Sequence, residues 1–141
     1  MNDSQYYGFL AVQMALISGL VCFVILWKGP WNSARYAGLA LVATGIVFFL
    51  AARFQLGKSF SVTAQARKLV THGLYAKIRN PIYVFSSMMV LGVLLVVQKP
   101  ILFLFLAVLI VIQTWRAHKE AQVLEAKFGD EYREYRRHTW F

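Results

Sequence analysis

The chain has 141 residues, of which 59% are apolar and only 15% are charged, and its net charge at pH 7 is +9. A soluble domain of this length cannot bury so much apolar surface, so the composition indicates a protein whose solvent is the lipid bilayer. The basic residues lie beside apolar runs rather than on a separate polar face, which favours membrane orientation and anionic headgroups over nucleic acid.

Four apolar segments are predicted to be helices, because an open strand in lipid would leave its backbone polar groups without partners. The segments cover residues 9–27, 36–52, 82–97 and 101–115. The first two approach the ~20 residues that a helix needs to cross the hydrocarbon core. The last two are shorter and are joined only by Gln98-Lys99-Pro100, which indicates a helical hairpin. The expected fold is all-α, a polytopic membrane protein of about four transmembrane helices in one domain.

The first apolar segment follows Asp3 and is preceded by no lysine or arginine. It is also long for the core of a signal peptide, so we expect it to be retained as the first span. The single cysteine, Cys22, lies within this segment, which excludes an internal disulfide and a cysteine metal cluster. No metal site is therefore expected.

The basic residues are distributed unequally between the two sides of such a bundle. Three lie around the short connections between spans one and two and between spans three and four, namely Lys28, Arg35 and Lys99. The other twelve lie in the loop 53–81 and the tail 116–141. The positive-inside rule therefore predicts that both termini, the loop and the tail are cytoplasmic. We expect an integral protein of a bacterial or archaeal plasma membrane, with membrane lipids as partners and no nucleic acid; the oligomeric state stays open.

The tail is predicted to form two short cytoplasmic helices. Its apolar and aromatic residues recur at spacings of three and four, which is typical of an amphipathic helix. These residues are Ala121, Leu124, Phe128, Tyr132 and Tyr135. Gly129-Asp130 interrupts the pattern in the manner of a C-cap followed by a new N-cap.

Titratable and hydrogen-bonding side chains collect at the cytoplasmic mouth of the predicted hairpin. They run from His72 to Tyr83 before span three and from Arg116 to Glu120 after span four. Because the start of one hairpin helix lies near the end of the other, we expect the two groups to meet. Such a place suits an enzyme that takes one substrate from the cytosol and another from the bilayer.

These features also have purely structural interpretations. Asn80-Pro81 is a good N-cap followed by proline at the first helical position, and Arg79 can extend to lipid headgroups. Arg116 and Glu120 are spaced as a weak surface pair on a helix. The predicted spans carry no charged residue, which speaks against an ion-coupled transporter. A non-catalytic membrane protein that binds partners through its basic face is an alternative at this point.

Two blocks flank the hairpin, "LVTHGLYAKIRNPIY" at 69–83 and "RAHKEAQVLEAKFGDEYREY" at 116–135. In this order and spacing they resemble the isoprenylcysteine carboxyl methyltransferase family and its phospholipid N-methyltransferase relatives, which are integral membrane enzymes that use S-adenosylmethionine. The matching positions are Thr71, Gly73, Tyr75, Arg79, Pro81 and Tyr83 in the first block and Arg116, Glu120, Leu124, Phe128, Gly129, Tyr132 and Tyr135 in the second.

The resemblance implies a binding site for S-adenosylmethionine. Its cofactor-binding residues would be His72, Gly73, Leu74, Tyr75, Asn80, Pro81, Tyr83 and Glu120, and its catalytic residues would be Arg79 and Arg116. The chemistry of these residues agrees, since tyrosine faces can hold a sulfonium without a counter-charge. The helix start at Asn80-Pro81-Ile82 offers N–H groups to the carboxylate of the cofactor. Its amino group needs a carboxylate, for which Glu120 is the candidate.

Three departures from the family pattern concern the methyl acceptor. Asn80 replaces the usual histidine and looks like the Asn-Pro form of the phospholipid branch, Ala121 replaces a second glutamate, and Phe85 stands where glycine often follows the tyrosine. A carboxylate acceptor needs only Arg79 or Arg116 to orient it, whereas an amine must first lose a proton to a base. We therefore expect methyl transfer to a hydrophobic or lipidated acceptor, most like carboxyl O-methylation, with phospholipid N-methylation as the alternative.

Overall fold

The computed structural model describes residues 3–57 and 69–141. Its elements are α1 (Asp3–Leu26), α2 (Ser33–Leu56), α3 (Pro81–Val97), α4 (Phe103–Phe128) and α5 (Asp130–Arg137), with short 3-10 turns at Gly73–Ala76 and Pro100–Leu102. The described residues form no β-strand beyond one isolated bridge, so the all-α prediction is confirmed. Segment 58–68 of the predicted loop, with three of its basic residues, lies outside the described residues.

Three of the described helices are long and apolar enough to cross a membrane, which confirms the prediction of an integral membrane protein. They are Tyr6–Leu26, Ser33–Leu56 and Pro100–Phe128. Helix α3 is also apolar but has only 17 residues. At 1.5 Å per residue it is about 25 Å long, against about 30 Å for the hydrocarbon core. It is therefore the short member of the predicted hairpin.

Helix α4 continues well beyond the apolar run from which its span was predicted. It ends at Phe128, where Gly129 has a positive φ of 53° and its N–H bonds to the carbonyl of Glu125. Residues 116–128 contain neither glycine nor proline, so nothing in the sequence stops the helix where it leaves the apolar run. Only α5 is a separate helix in the tail, and Arg116 and Glu120 belong to the same rigid helix as span four.

Helices α2 and α3 pack backbone to backbone through glycines. A Cβ atom on Gly38 would lie 2.5 Å from the carbonyl oxygen of Gly92, and one on Gly92 would lie 2.7 Å from that of Gly38. About two turns further along α2, a Cβ on Gly45 would lie 2.5 Å from Cγ of Met89. Such close approach is the usual way in which membrane helices gain packing energy, because lipid supplies no hydrophobic drive for helices to associate.

Helix α1 is held to α2 by two arginines. Arg35 and Arg53 are about five helical turns apart and so lie on one face of α2, where 2% and 0% of their surfaces are exposed. The Arg35 guanidinium donates to the carbonyls of Gly29 (2.7 Å) and Trp27 (2.8 Å), and Nε of Arg53 donates to Oε1 of Gln13 (2.8 Å). The apolar run alone predicts that both arginines lie in loops, but they are helical because α2 begins before that run and ends after it.

The end of the bundle opposite the hairpin mouth is closed by a pair of amides. Nδ2 of Asn32 donates to Oε1 of Gln98 at 2.9 Å, and Nε2 of Gln98 donates back to Oδ1 of Asn32 at 3.1 Å. Asn32 caps α2, and Gln98 caps α3 in the left-handed region with φ 58°. The pair therefore fixes the relative position of the two connections.

The glycine contact can be tested by adding one methyl group. Gly92→Ala should lower the apparent melting temperature in detergent, since the new Cβ meets backbone that cannot yield, and overpacking of this kind costs ~1–3 kcal/mol. Gly19→Ala is the matched control, because no atom lies within 4 Å of the Cβ position of that helical glycine. Equal melting temperatures for the two variants would contradict the close packing of α2 on α3.

Candidate functional site

The two ends of the hairpin meet in a hydrogen bond between a tyrosine and a carboxylate. The Tyr83 hydroxyl at the start of α3 donates to Oε1 of Glu120 on α4 at 2.6 Å, a short charge-assisted bond. Arg116, one turn before Glu120, places Nη2 3.9 Å from the same oxygen and its guanidinium 5.8 Å from the centre of the Tyr83 ring. The side chain of Glu120 remains 27% exposed, so it can still take up a ligand.

The interface between α3 and α4 continues below this bond as a polar network. Gln113 is buried and accepts from the Ser87 hydroxyl at 2.7 Å, while its Nε2 donates to Oγ of Ser86 at 2.9 Å. The Ser86 hydroxyl in turn donates to the Tyr83 carbonyl at 3.0 Å. These side chains are engaged with one another, so their role is to hold the two helices in register beneath Tyr83 and Glu120.

The turn Gly73–Ala76 lies between the end of α2 and the start of α3. Tyr75 is buried in a small core with Ala52 and Val70. Burial raises the pKa of its phenol, and the neighbouring Tyr135 raises it further. Little of the Tyr75 ring is therefore free to face a ligand, whereas Tyr83 is only partly buried. His72, just before the turn, is exposed and makes no capping hydrogen bond with its side chain.

Helix α5 packs over this segment through two tyrosines. The Tyr135 hydroxyl donates to the Tyr75 carbonyl at 2.7 Å, and the Tyr132 hydroxyl lies in hydrogen-bond contact with Arg79. Burial raises the pKa of Tyr132, against the opposing effect of the Arg79 charge, and it raises the pKa of Tyr135 to about 12. Nε of Arg79 is buried with no hydrogen-bond partner among the described residues. Arg79 thus stands beside α5 rather than beside Glu120.

The start of α3 is built as the sequence predicted, but its N–H groups are partly occupied. Asn80 is the N-cap and Pro81 is the first helical residue, although the Asn80 side chain makes no capping bond. The Asn80 N–H donates to the carbonyl of Phe141 at 2.9 Å, and the Arg79 N–H donates to that of Trp140 at 3.0 Å. Pro81 has no N–H. Of the three expected donors, only Ile82 is therefore left for a ligand.

The structure thus arranges the predicted site residues in two groups. Tyr83, Arg116 and Glu120 are in direct contact, with Tyr75 within electrostatic range of the first and last. Arg79 belongs to a second group with the tyrosines of α5. The sequence matches Tyr132 and Tyr135 to the family motif but does not assign them to the site. Their spacing of three residues, which puts both on one face of a helix, is the feature that could have indicated this role.

Interfacial side chains mark the depth of this site on α4. Trp115 is 58% exposed, and Nζ of Lys119 lies 3.9 Å from the centre of its ring. Tryptophan and lysine are the residues that settle at the boundary between lipid and water. Glu120 follows Lys119 directly, so the bond to Tyr83 lies at that boundary, within reach of both phases.

A family model described as phospholipid methyltransferase matches residues 33–131 of this chain. The match begins with α2 and ends just after the start of α5, so it covers well over half of the chain. It includes Tyr83, Arg116, Glu120 and Arg79, whereas Tyr132 and Tyr135 of α5 lie just beyond it. Helix α1 lies outside it. A comparison with curated proteins found no matching relative.

The bond between Tyr83 and Glu120 can be tested by removing one oxygen atom. Tyr83→Phe should lower the free energy of unfolding in detergent by ~1–2 kcal/mol, because the carboxylate loses its shortest hydrogen bond. Tyr36→Phe is the control, since Tyr36 is 59% exposed. The bond contributes nothing if chemical unfolding gives the same value for both variants.

Proposed function

Since the chain belongs to the phospholipid methyltransferase family and is a membrane methyltransferase, we propose that it transfers a methyl group from S-adenosylmethionine to a lipid-like acceptor at the cytoplasmic face of the membrane. The observation that carries this proposal is the contact of Tyr83, Arg116 and Glu120 where α3 and α4 meet at the lipid boundary. Membership of an enzyme family favours this function over a non-catalytic membrane protein.

The residues present fit the proposed cofactor. Glu120 offers a partly exposed carboxylate to its amino group, and the half-buried face of Tyr83 suits its sulfonium. The buried Nε of Arg79 can donate a hydrogen bond and has no acceptor among the described residues. Together with the Ile82 N–H it suits an anionic group such as the carboxylate of the cofactor.

When bound, the cofactor supplies a methyl group that is already activated by a positively charged sulfur. The protein has then to align donor and acceptor more than to move protons, because an in-line displacement depends on geometry. Tyr83 fixes the orientation of the Glu120 carboxylate, and Arg116 balances its charge. The polar network around Gln113 keeps the two helices that carry these groups in register.

The site favours a carboxylate acceptor. Arg116, which lies beside Glu120 and Tyr83, can orient a carboxylate, which is already a nucleophile and needs no base. Glu120, the carboxylate of this group, is assigned to the amino group of the cofactor, so it is not free to take the proton of an amine acceptor. The proposed acceptor is therefore a hydrophobic or prenylated molecule with a free carboxyl group, whose tail enters from the bilayer.

An aminophospholipid is the second candidate acceptor. It is favoured by the description of the matching family model and by Asn80, which resembles the phospholipid branch at the position where histidine is usual. Both acceptors are amphiphiles that reach the boundary marked by Trp115 from the lipid side. The cytoplasmic placement of the site rests on the excess of basic residues on its side of the membrane.

Cofactor binding is the first test. The purified protein in detergent should bind S-adenosylmethionine in calorimetry, and Glu120→Gln should weaken the affinity roughly tenfold by removing the charge that faces the amino group. Glu131→Gln, on the exposed face of α5, is the control and should bind as the unaltered protein does. No binding by the unaltered protein at millimolar cofactor would overturn the proposed function, and unchanged affinity of Glu120→Gln would overturn the role of that residue.

The acceptor is tested by direct competition of substrates. Labelled methyl transfer to a prenylcysteine analogue and to phosphatidylethanolamine should be measured side by side in mixed micelles. We expect label in the prenylcysteine as a base-labile ester. If label is recovered only in the phospholipid and is stable to base, the carboxylate acceptor is overturned and the aminophospholipid is the acceptor.

A further inference from the structure

The last turn of α2 reaches the turn Gly73–Ala76 through one side chain that the proposed mechanism does not use. Oε1 of Gln55 accepts the backbone N–H of Leu74 at 2.8 Å, across 19 residues of sequence. Gln55 is partly buried and follows the buried pair Ala52 and Arg53 at the C-terminal end of the helix. The carboxamide therefore connects a membrane-spanning helix to the proposed cofactor segment.

Gly73 and Gln55 are matched in shape. Gly73 has φ +62°, a left-handed conformation that glycine adopts readily. A Cβ at this position would lie only 2.4 Å from Oε1 and 2.5 Å from Cδ of Gln55. The absence of a side chain at Gly73 is thus what allows the carboxamide to reach the N–H of Leu74.

Gln55 takes the place of a helix cap. The N-terminal N–H groups of a helical turn need acceptors, and the residue before the turn usually supplies one from its side chain. Here that residue is His72, whose side chain makes no such bond. Its carbonyl serves the N–H of Tyr75 at 3.2 Å, while the N–H of Leu74 is served by Gln55.

We propose that Gln55 is a positioning residue for the cofactor site, which acts by fixing the backbone of residues 72–75 against the end of α2. This proposal rests on the proposed function, because it assigns Gln55 to the cofactor rather than to the acceptor. It predicts that loss of the carboxamide loosens the turn and weakens cofactor affinity, while the chemistry at Glu120 is left in place.

The experiment compares three variants in detergent, with two measurements on each. Gln55→Leu keeps the size of the side chain and removes the acceptor, Gln55→Glu keeps an acceptor oxygen, and Phe54→Leu alters the exposed neighbour. Hydrogen exchange of the peptide that contains Leu74 should become faster in Gln55→Leu only. The dissociation constant for S-adenosylmethionine should rise roughly three- to tenfold in Gln55→Leu, and Gln55→Glu should restore it to within about twofold.

The outcomes separate the two proposals. Unchanged exchange of Leu74 in Gln55→Leu would show that the tether is absent, whatever binds to the protein. Faster exchange with unchanged affinity would overturn the positioning role. A loss of affinity that Gln55→Glu shares would show that the effect does not come from the acceptor oxygen. Absence of cofactor binding by the unaltered protein overturns the proposed function, and the positioning role with it.

Discussion

The close approach of α2 and α3 through Gly38, Gly45 and Gly92 is the contact on which the rest of the structure depends. Because the two helices are antiparallel and nearly touch along their backbones, the end of α2 comes beside the start of α3. The turn Gly73–Ala76 is held in the corner between them, with Tyr75 against Ala52. Lipid provides no hydrophobic driving force for helices to associate, so this backbone contact and the hydrogen bonds around it must hold the bundle together.

The arrangement of α4 complements this corner in a different way. Its apolar part faces lipid with large exposed side chains such as Phe105 and Val111, and its polar part continues the same helix beyond the apolar run as far as Phe128. One rigid element therefore carries Gln113 at membrane depth and Glu120 at the boundary. A substrate with an apolar tail and a polar head needs a binding surface that changes from apolar to polar at the same depth in the membrane as the substrate does.

Much of this organisation could be predicted from the sequence because it depends on local patterns. Apolar runs located the spans, and the short connection at Lys99 indicated the hairpin that brings Tyr83 to Glu120. The bond from Gln55 to Leu74 and the pairing of Trp140 with Arg79 could not be predicted, since both join segments that are distant in sequence and carry no pattern. Charge counting also cannot distinguish Arg53, which is buried in a helix, from a solvated loop arginine.

The two arginines on one face of α2 have a consequence for how the first helix could change over time. The two groups that Arg35 binds before α2, the carbonyls of Trp27 and Gly29, belong to the main chain and are present whatever the side chains. Arg53 instead contacts side chains of α1, namely the carboxamide of Gln13 and the rings of Tyr6 and Phe9. A helix of unrelated sequence would satisfy Arg35 with its main chain alone, but it would need a polar acceptor and aromatic rings opposite Arg53. The contact at Arg35 is therefore indifferent to the sequence of the first helix, whereas the contact at Arg53 depends on it, and both arginines lie within the region that matches the family model.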